Sequence, residues 1–291
     1  KGVRKVVRLM IPSIFGVSIA QINLLINTVL ASFLVTGSVS WLYYSDRIME
    51  FPLGVFGIAL ATVILPILSK QMSKSDVAGF RSTLNWALKL ALVVCIPAAS
   101  ALIILAVPIV ATLFHYGRFS EHDVYMASQS LAAFSFGLVG FVMVKILAPG
   151  FYAKQDTRTP VVVGALAMGV NALVALVLVW NLKHVGLAMA TTIAGLFNAV
   201  MLLSYLIKSN DVNLDSDIIK FSVKVMIATV LMSLLLIIGP KVDAEWIDFS
   251  LGERIYRLSF WIISSTIVYV GSLYIVGLRL HKIVLRSDDA N

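Results

Sequence analysis

The segment Ser40–Pro52 reads S-W-L-Y-Y-S-D-R-I-M-E-F-P and places Asp46, Arg47 and Glu50 within about a turn and a half of one otherwise apolar stretch. No charged residue occurs from Leu9 to Ser45 before this triplet, or from Phe51 to Ser69 after it. A guanidinium is costly to place in hydrocarbon, so an arginine here should face a water-filled cavity or a partner. At about 100° per residue, Ser40, Tyr43, Arg47, Glu50, Gly54 and Gly57 share roughly a third of the helix circumference. Trp41, Leu42, Ile48, Met49 and Val55 point elsewhere. The segment reads as a polar stripe on a membrane helix, the wall of a pathway.

The rest of the 291 residues support a membrane setting: 59% are hydrophobic and only 13% charged, and the mean hydropathy is +0.95. Soluble domains carry about 25% charged residues. The expected fold is therefore all-α, a polytopic membrane protein of eight transmembrane helices. The net charge of +8 is then a matter of topology and not a nucleic-acid footprint. The single cysteine, Cys95, lies in the apolar run Ala91–Ala99, which excludes an intrachain disulfide and argues against a reactive thiol. The chain opens Lys-Gly-Val-Arg with no signal peptide, as expected of a fragment or a processed piece.

Spans of about 20 residues or more fall near Ile11–Val35, Ser40–Leu68, Thr83–His115, Asp123–Leu147, Thr159–Trp180, Val185–Ile207, Ile218–Gly239 and Ile255–Leu278. Pro97 and Pro108 predict a kink in the third span. Thr159-Pro160 predicts a helix start, with threonine as the N-cap and proline at the first helical position. An even number of spans puts both termini on one side. Of the 23 lysines and arginines, only Arg118, Lys183, Lys241, Arg254 and Arg257 then fall outside. Arg47, Lys89, Lys145 and Lys224 lie within spans, and the remainder, beginning with the basic leader Lys1–Arg8, are cytoplasmic. The most polar stretch, residues 208–217, reads as a linker between a six-helix lobe (1–207) and a two-helix appendage with a basic tail (218–291).

Several residues qualify as functional candidates. Arg47 offers a planar fork suited to two phosphate oxygens, with Asp46 and Glu50 to orient it or to titrate. The alternative is an ion pair that merely fixes helix packing. Lys145, four residues before Pro149, is either a weaker second cation or a side chain snorkelling to the interface. Asn23, Asn27 and Asn171 can hold a cation or, by the simpler reading, bond between helices. Gly186, Ala190 and Ala194 form a small-residue stripe for close helix contact. The histidines are dispersed, without metal-ligand spacing. No nucleotide-binding or hydrolase motif occurs, so no catalytic residue, metal or cofactor is expected.

Four stretches together resemble the MurJ (MviN) family of lipid II flippases, within the multidrug/oligosaccharidyl-lipid/polysaccharide exporter superfamily. They are Ser40–Pro52 above, G-I-A-L-A-T-V-I-L-P-I-L-S at Gly57–Ser69, L-F-H-Y-G-R-F at Leu113–Phe119, and K-I-L-A-P-G-F-Y-A-K-Q-D-T-R-T-P at Lys145–Pro160. The resemblance covers essentially the whole chain. Members of that family have fourteen spans, and this chain is similar to their second six-span lobe and closing pair, without the N-terminal six-helix lobe. The resemblance implies transfer of lipid-linked peptidoglycan precursor across the bacterial cytoplasmic membrane by alternating access. It implies that Arg47 meets the substrate's diphosphate, with Asp46 and Glu50 as its neighbouring acids and Ser40 at the cavity portal; Tyr43 joins them on the stripe. The polyprenyl tail would lie in an apolar groove formed by the last two spans. The implied partners are lipid II, membrane lipid and the absent lobe. A cation-coupled multidrug or polysaccharide-lipid exporter of the same superfamily is the alternative, which a lone arginine on the stripe disfavours. A membrane-embedded transferase is more remote: its only acids would be Asp243, Glu245, Asp248 and Glu253.

Overall fold

The computed structural model describes residues 21–212, 216–239 and 245–278. The basic leader, the first half of the expected first span, part of the polar linker, residues 240–244 and the basic tail lie outside them. The fold is helical: α1 Gln21–Ser32; α2 Ser38–Pro52, a π-helical turn Leu53–Ile58 and α3 Ala59–Ser73; α4 Val77–Ile104 and α5 Ala106–Phe114; α6 Glu121–Ser135 and α7 Leu138–Ala153; α8 Arg158–Lys208; α9 Ser216–Ile238; α10 Glu245–Asp248; and α11 Leu251–Ile275. Among the described residues five helices are long and apolar enough to cross a membrane, and six if the bent pair α6–α7 is one span. Of the expected first span, residues 21–35 are described, and α1 is their helix.

Local chemistry explains the boundaries. The α6 and α11 helices begin with reciprocal caps, Ser120 with Asp123 and Ser250 with Glu253. The α4 helix starts earlier than the composition suggests, because Asp76 accepts from the Gly79 N–H. The third span is interrupted at Leu105 and not at Pro97. The ring of Pro108 opposes the carbonyl four residues earlier, that of Ile104, and the helix stops there before restarting. The start expected at Thr159-Pro160 is also corrected. The helix begins at Arg158, and the cap is Asp156, which accepts from the backbone N–H groups of Arg158 and Thr159 and from the Thr159 hydroxyl.

The 51-residue run α8 would extend about 75 Å if straight. Instead Lys183, at φ 50°, folds it into two arms, 158–182 and 184–208. Thr191 Oγ1 donates to Asn171 Oδ1 at 3.3 Å, although twenty residues of straight helix separate such groups by about 30 Å. Gly186 permits the turn: a Cβ there would stand 2.6 Å from the Leu178 carbonyl oxygen. Ala190 and Ala194 are buried along the same arm, as the small-residue stripe requires.

One core joins α2–α7 to α8, chiefly to its second arm. A separate one, around Phe221, Val225, Met232 and Leu273, lies among α4, α9 and α11. Two polar contacts fasten α11 there. Pro97 offers no N–H to the carbonyl of Val93, and the Tyr269 hydroxyl donates to that oxygen at 2.6 Å. Buried Arg254 donates to the carbonyl oxygens of Ala111, near the α5 C-terminus, and Ile247. Tyr269→Phe is therefore expected to destabilise by about 1 kcal/mol, and by less in a Pro97→Ala background where the freed carbonyl regains a helical N–H. A double-mutant cycle of thermal unfolding in detergent measures the coupling; equal losses in both backgrounds would show that Pro97 and Tyr269 are independent.

Candidate functional site

The two faces of α2 have separate work. Trp41, Ser45, Ile48 and Met49 are buried, at the i, i+4, i+7 and i+8 spacing of one helical face. The indole Nε1 of Trp41 donates to Asp123 Oδ1 at 2.7 Å, and the Ser45 hydroxyl donates to the Ala127 carbonyl at 2.6 Å. His184 meets the Trp41 ring edge-on at 5.0 Å between centroids. Gly37, at φ 103°, closes the turn before α2, where a Cβ would lie 2.6 Å from that indole. Rotation of α2 about its axis is fixed by these contacts.

The opposite face carries Ser40, Tyr43, Arg47 and Glu50, all exposed. Arg47 donates to Glu50 Oε2 at 2.6 Å, with the two side chains 55% and 47% exposed. Its guanidinium carbon sits 5.0 Å from the Tyr43 ring centroid, within cation–π range. The bond to Glu50 engages one N–H of a group that has five, so the guanidinium is oriented without being exhausted as an anion binder. Asp46, beside it in sequence, is only partly exposed. Of the two candidate acids, Glu50 is the one in contact.

Further along, Gly57 is buried in the π-helical turn. A Cβ there would come within 3.6 Å of Lys145 Cγ and of Val142 on α7. The Lys145 stem thus lies along the last glycine of the stripe, and the residue is exposed. Gly57 is therefore turned toward α7 and not onto the exposed face with Arg47 and Glu50, as the stripe had suggested, and Lys145 is contributed by another helix.

Asn23, Asn27 and Asn171 are brought together. Asn171, fully buried, donates to Asn23 Oδ1 at 2.7 Å and to Asn27 Oδ1 at 3.0 Å, while Asn27 donates to Thr191 Oγ1 at 3.0 Å. Each amide oxygen is engaged by a neighbouring donor, which is the geometry of an interhelical network. Among the described residues no group of three or more His, Cys, Asp or Glu gathers into a metal-ligand set. Of the acids considered for a transferase, Glu253 caps α11; Asp243 and the Glu245 side chain lie outside the described residues.

An apolar groove of about 650 Å³ runs along α9, lined by Leu92, Met143, Leu203, Ile219, Met226 and Val230 among others. Its walls come from α4, α7, α8 and α9. Of the two closing helices only α9 lines this groove; α11 packs on a different part of α9, around Tyr269 and Leu273. What the sequence did not reveal is the pairing of Trp41 with Asp123. The only local hint was the Ser120-x-x-Asp123 capping signature, which marks a helix start but not a partner.

These features define a multi-pass helical membrane protein. The fold is shared with an outward-facing multidrug transporter of the MATE family (TM-score 0.63, 16% identity, 93% of this chain and 64% of that one). It is closer to that of a lipid II flippase MurJ in an inward closed conformation (TM-score 0.77, 24% identity, 91% of this chain and 52% of that one). Residues 1–256 match the family described as Lipid II flippase MurJ, and the chain belongs to that family. Relatives include probable lipid II flippases MurJ of Haemophilus influenzae, 42% identical over 99% of this chain and 57% of that protein, and of Vibrio cholerae, 41% identical over 99% and 55%. The lipid II flippase MurJ of Burkholderia cenocepacia is 36% identical over 96% and 54%. The chain spans about half the length of the curated relatives it matches, and its place is the bacterial inner membrane.

Proposed function

We propose that this chain is the second six-helix lobe and closing helix pair of a lipid II flippase, and that with an N-terminal six-helix lobe it encloses the cavity through which the lipid crosses. The observation that carries this reading is Arg47, held on an exposed polar face by a helix whose other face is keyed to α6. Lipid II joins an anionic diphosphate to a long apolar tail, so it needs a cationic, hydrated wall with access to lipid. Arg47 is the diphosphate contact, Glu50 and Tyr43 hold its orientation, Lys145 is a second cation, and Ser40 and Asp46 border the same wall. The α9 groove suits the polyprenyl tail or a membrane acyl chain. Both termini lie in the cytoplasm in this arrangement. Transferring net charge exchanges about 2.3 kcal/mol per charge per 100 mV, so the membrane potential or a counter-ion can reset the cycle.

The test is lipid II translocation in cells depleted of their native flippase. The full-length protein carrying this chain is expected to restore it, and the chain by itself is not, because half of the cavity wall is missing. Absence of translocation by the full-length protein, despite normal membrane levels, overturns the reading.

A further inference from the structure

The Ser38–Ser73 span and the Glu121–Ala153 span are each broken partway along. In the first, α2 passes through the π-helical turn Leu53–Ile58 into α3. Pro52 enters that turn without an N–H for the Ile48 carbonyl, and single π turns of this kind often mark functional positions. In the second, α6 and α7 are bent by 43°. There the Gly137 N–H donates to Phe134 at 2.8 Å, and the Ala133 carbonyl accepts from the Thr192 hydroxyl at 2.7 Å.

The two breaks lie level. Trp41 meets Asp123 and Ser45 meets Ala127, each pair 82 residues apart, so α2 and α6 run parallel in a constant register. Carried forward, that separation of 82 sets Leu53, the first residue of the π turn, beside Ser135, the last of α6. Beyond the breaks the partners change together, and α3 packs on α7 as α2 packs on α6.

We propose that α2 and α6 move as one rigid unit on a shared joint, formed by the π turn Leu53–Ile58 and the bend at Phe136–Gly137, so that Arg47 and Glu50 on one side of the joint swing relative to Lys145 on the other. Trp41 and Ser45 are then positioning residues: they key the arginine-bearing helix to α6 and make the two halves travel together. Lys145 stays with the other unit, its stem against Gly57 and its helix against α3. A diphosphate presents two linked anionic centres, and two cations on opposite sides of a joint can match their spacing in one state and lose that match in another. Capture and release would follow from geometry with no change of residues. This inference rests on the flippase reading for its substrate, but not for its motion.

The experiment places spin labels pairwise at Ser40→Cys, Ser73→Cys and Glu121→Cys in the full-length protein in liposomes. Distances are read by pulsed electron resonance with and without lipid II, and under an imposed potential. All three positions are exposed, and Cys95 is buried. The Ser40–Glu121 distance is expected to stay single and constant, while Ser40–Ser73 shifts between conditions. A Ser40–Glu121 shift as large as that of Ser40–Ser73, or a fixed Ser40–Ser73 distance in protein that translocates lipid II, overturns the joint. Gly54→Ala supplies a second arm, because a Cβ there meets no atom within 4 Å and alanine favours regular helix. It is expected to narrow the Ser40–Ser73 distribution and slow translocation severalfold at unchanged protein level. Full-rate translocation with both distributions unaltered would count against the proposal. Failure of the unsubstituted protein to move lipid II removes the substrate reading instead, since the distances under potential still report the joint.

Discussion

Arg47→Ala in the full-length protein is expected to abolish growth in flippase-depleted cells and to lower lipid II translocation by about 100-fold or more, the scale of losing a bidentate charge-assisted contact. Membrane protein levels should not change. Arg47 is 55% exposed and touches Tyr43 and Glu50 on its own helix, so its removal leaves no buried partner stranded. Exposed ion pairs of this kind contribute little to stability, and the loss therefore has to appear in function. Arg47→Lys keeps the charge but not the planar fork, and about a 10-fold loss is expected. Glu50→Gln should be milder than Arg47→Ala, because the acid orients the guanidinium without meeting the anion. Wild-type growth of the alanine variant would remove Arg47 from the mechanism, and equal activity of arginine and lysine would reduce its role to that of a point charge.

Asn171→Leu is expected to act through the fold. Asn171 is fully buried and spans α1 and the two arms of α8 through Asn23, Asn27 and Thr191. Interhelical polar contacts in membranes average well under 1 to about 2 kcal/mol each, and stranding buried partners adds to that. A loss of about 2–4 kcal/mol follows, read as a lower unfolding temperature in detergent. If the three asparagines serve packing, the loss is the same in sodium and in potassium. If they hold a coupling cation, the wild-type protein is stabilised by one of those ions and the variant is not. Ion-dependent unfolding of the wild type that disappears in Asn171→Leu would replace the packing role with an ion site.

The parts of this molecule that were legible in advance are those written in local periodicity. Apolar runs of span length declared a membrane helix bundle, and the stripe Ser40–Tyr43–Arg47–Glu50 showed on which face of its helix the charge must gather. Gly186, Ala190 and Ala194 announced a close approach between helices. The misplaced start at Thr159 shows the limit of even a local signal: Asp156, three residues earlier, accepts from the Arg158 and Thr159 N–H groups and from the Thr159 hydroxyl, so the helix is capped before Thr159 is reached.

What only the tertiary structure decided is partnership. Trp41 and Asp123 are 82 residues apart and Tyr269 and Val93 are 176 apart, and nothing in the residues between them specifies either pair. The π turn after Pro52 and the bend in α6–α7 were not anticipated from the sequence, and their common level comes from the register of two packed helices. The sequence by itself determined that Arg47 needs a polar surrounding, since a charge in an apolar span carries that requirement wherever it sits. Which direction the arginine faces, and which helix moves with it, depended on hydrogen bonds between distant segments that exist only once the chain has folded.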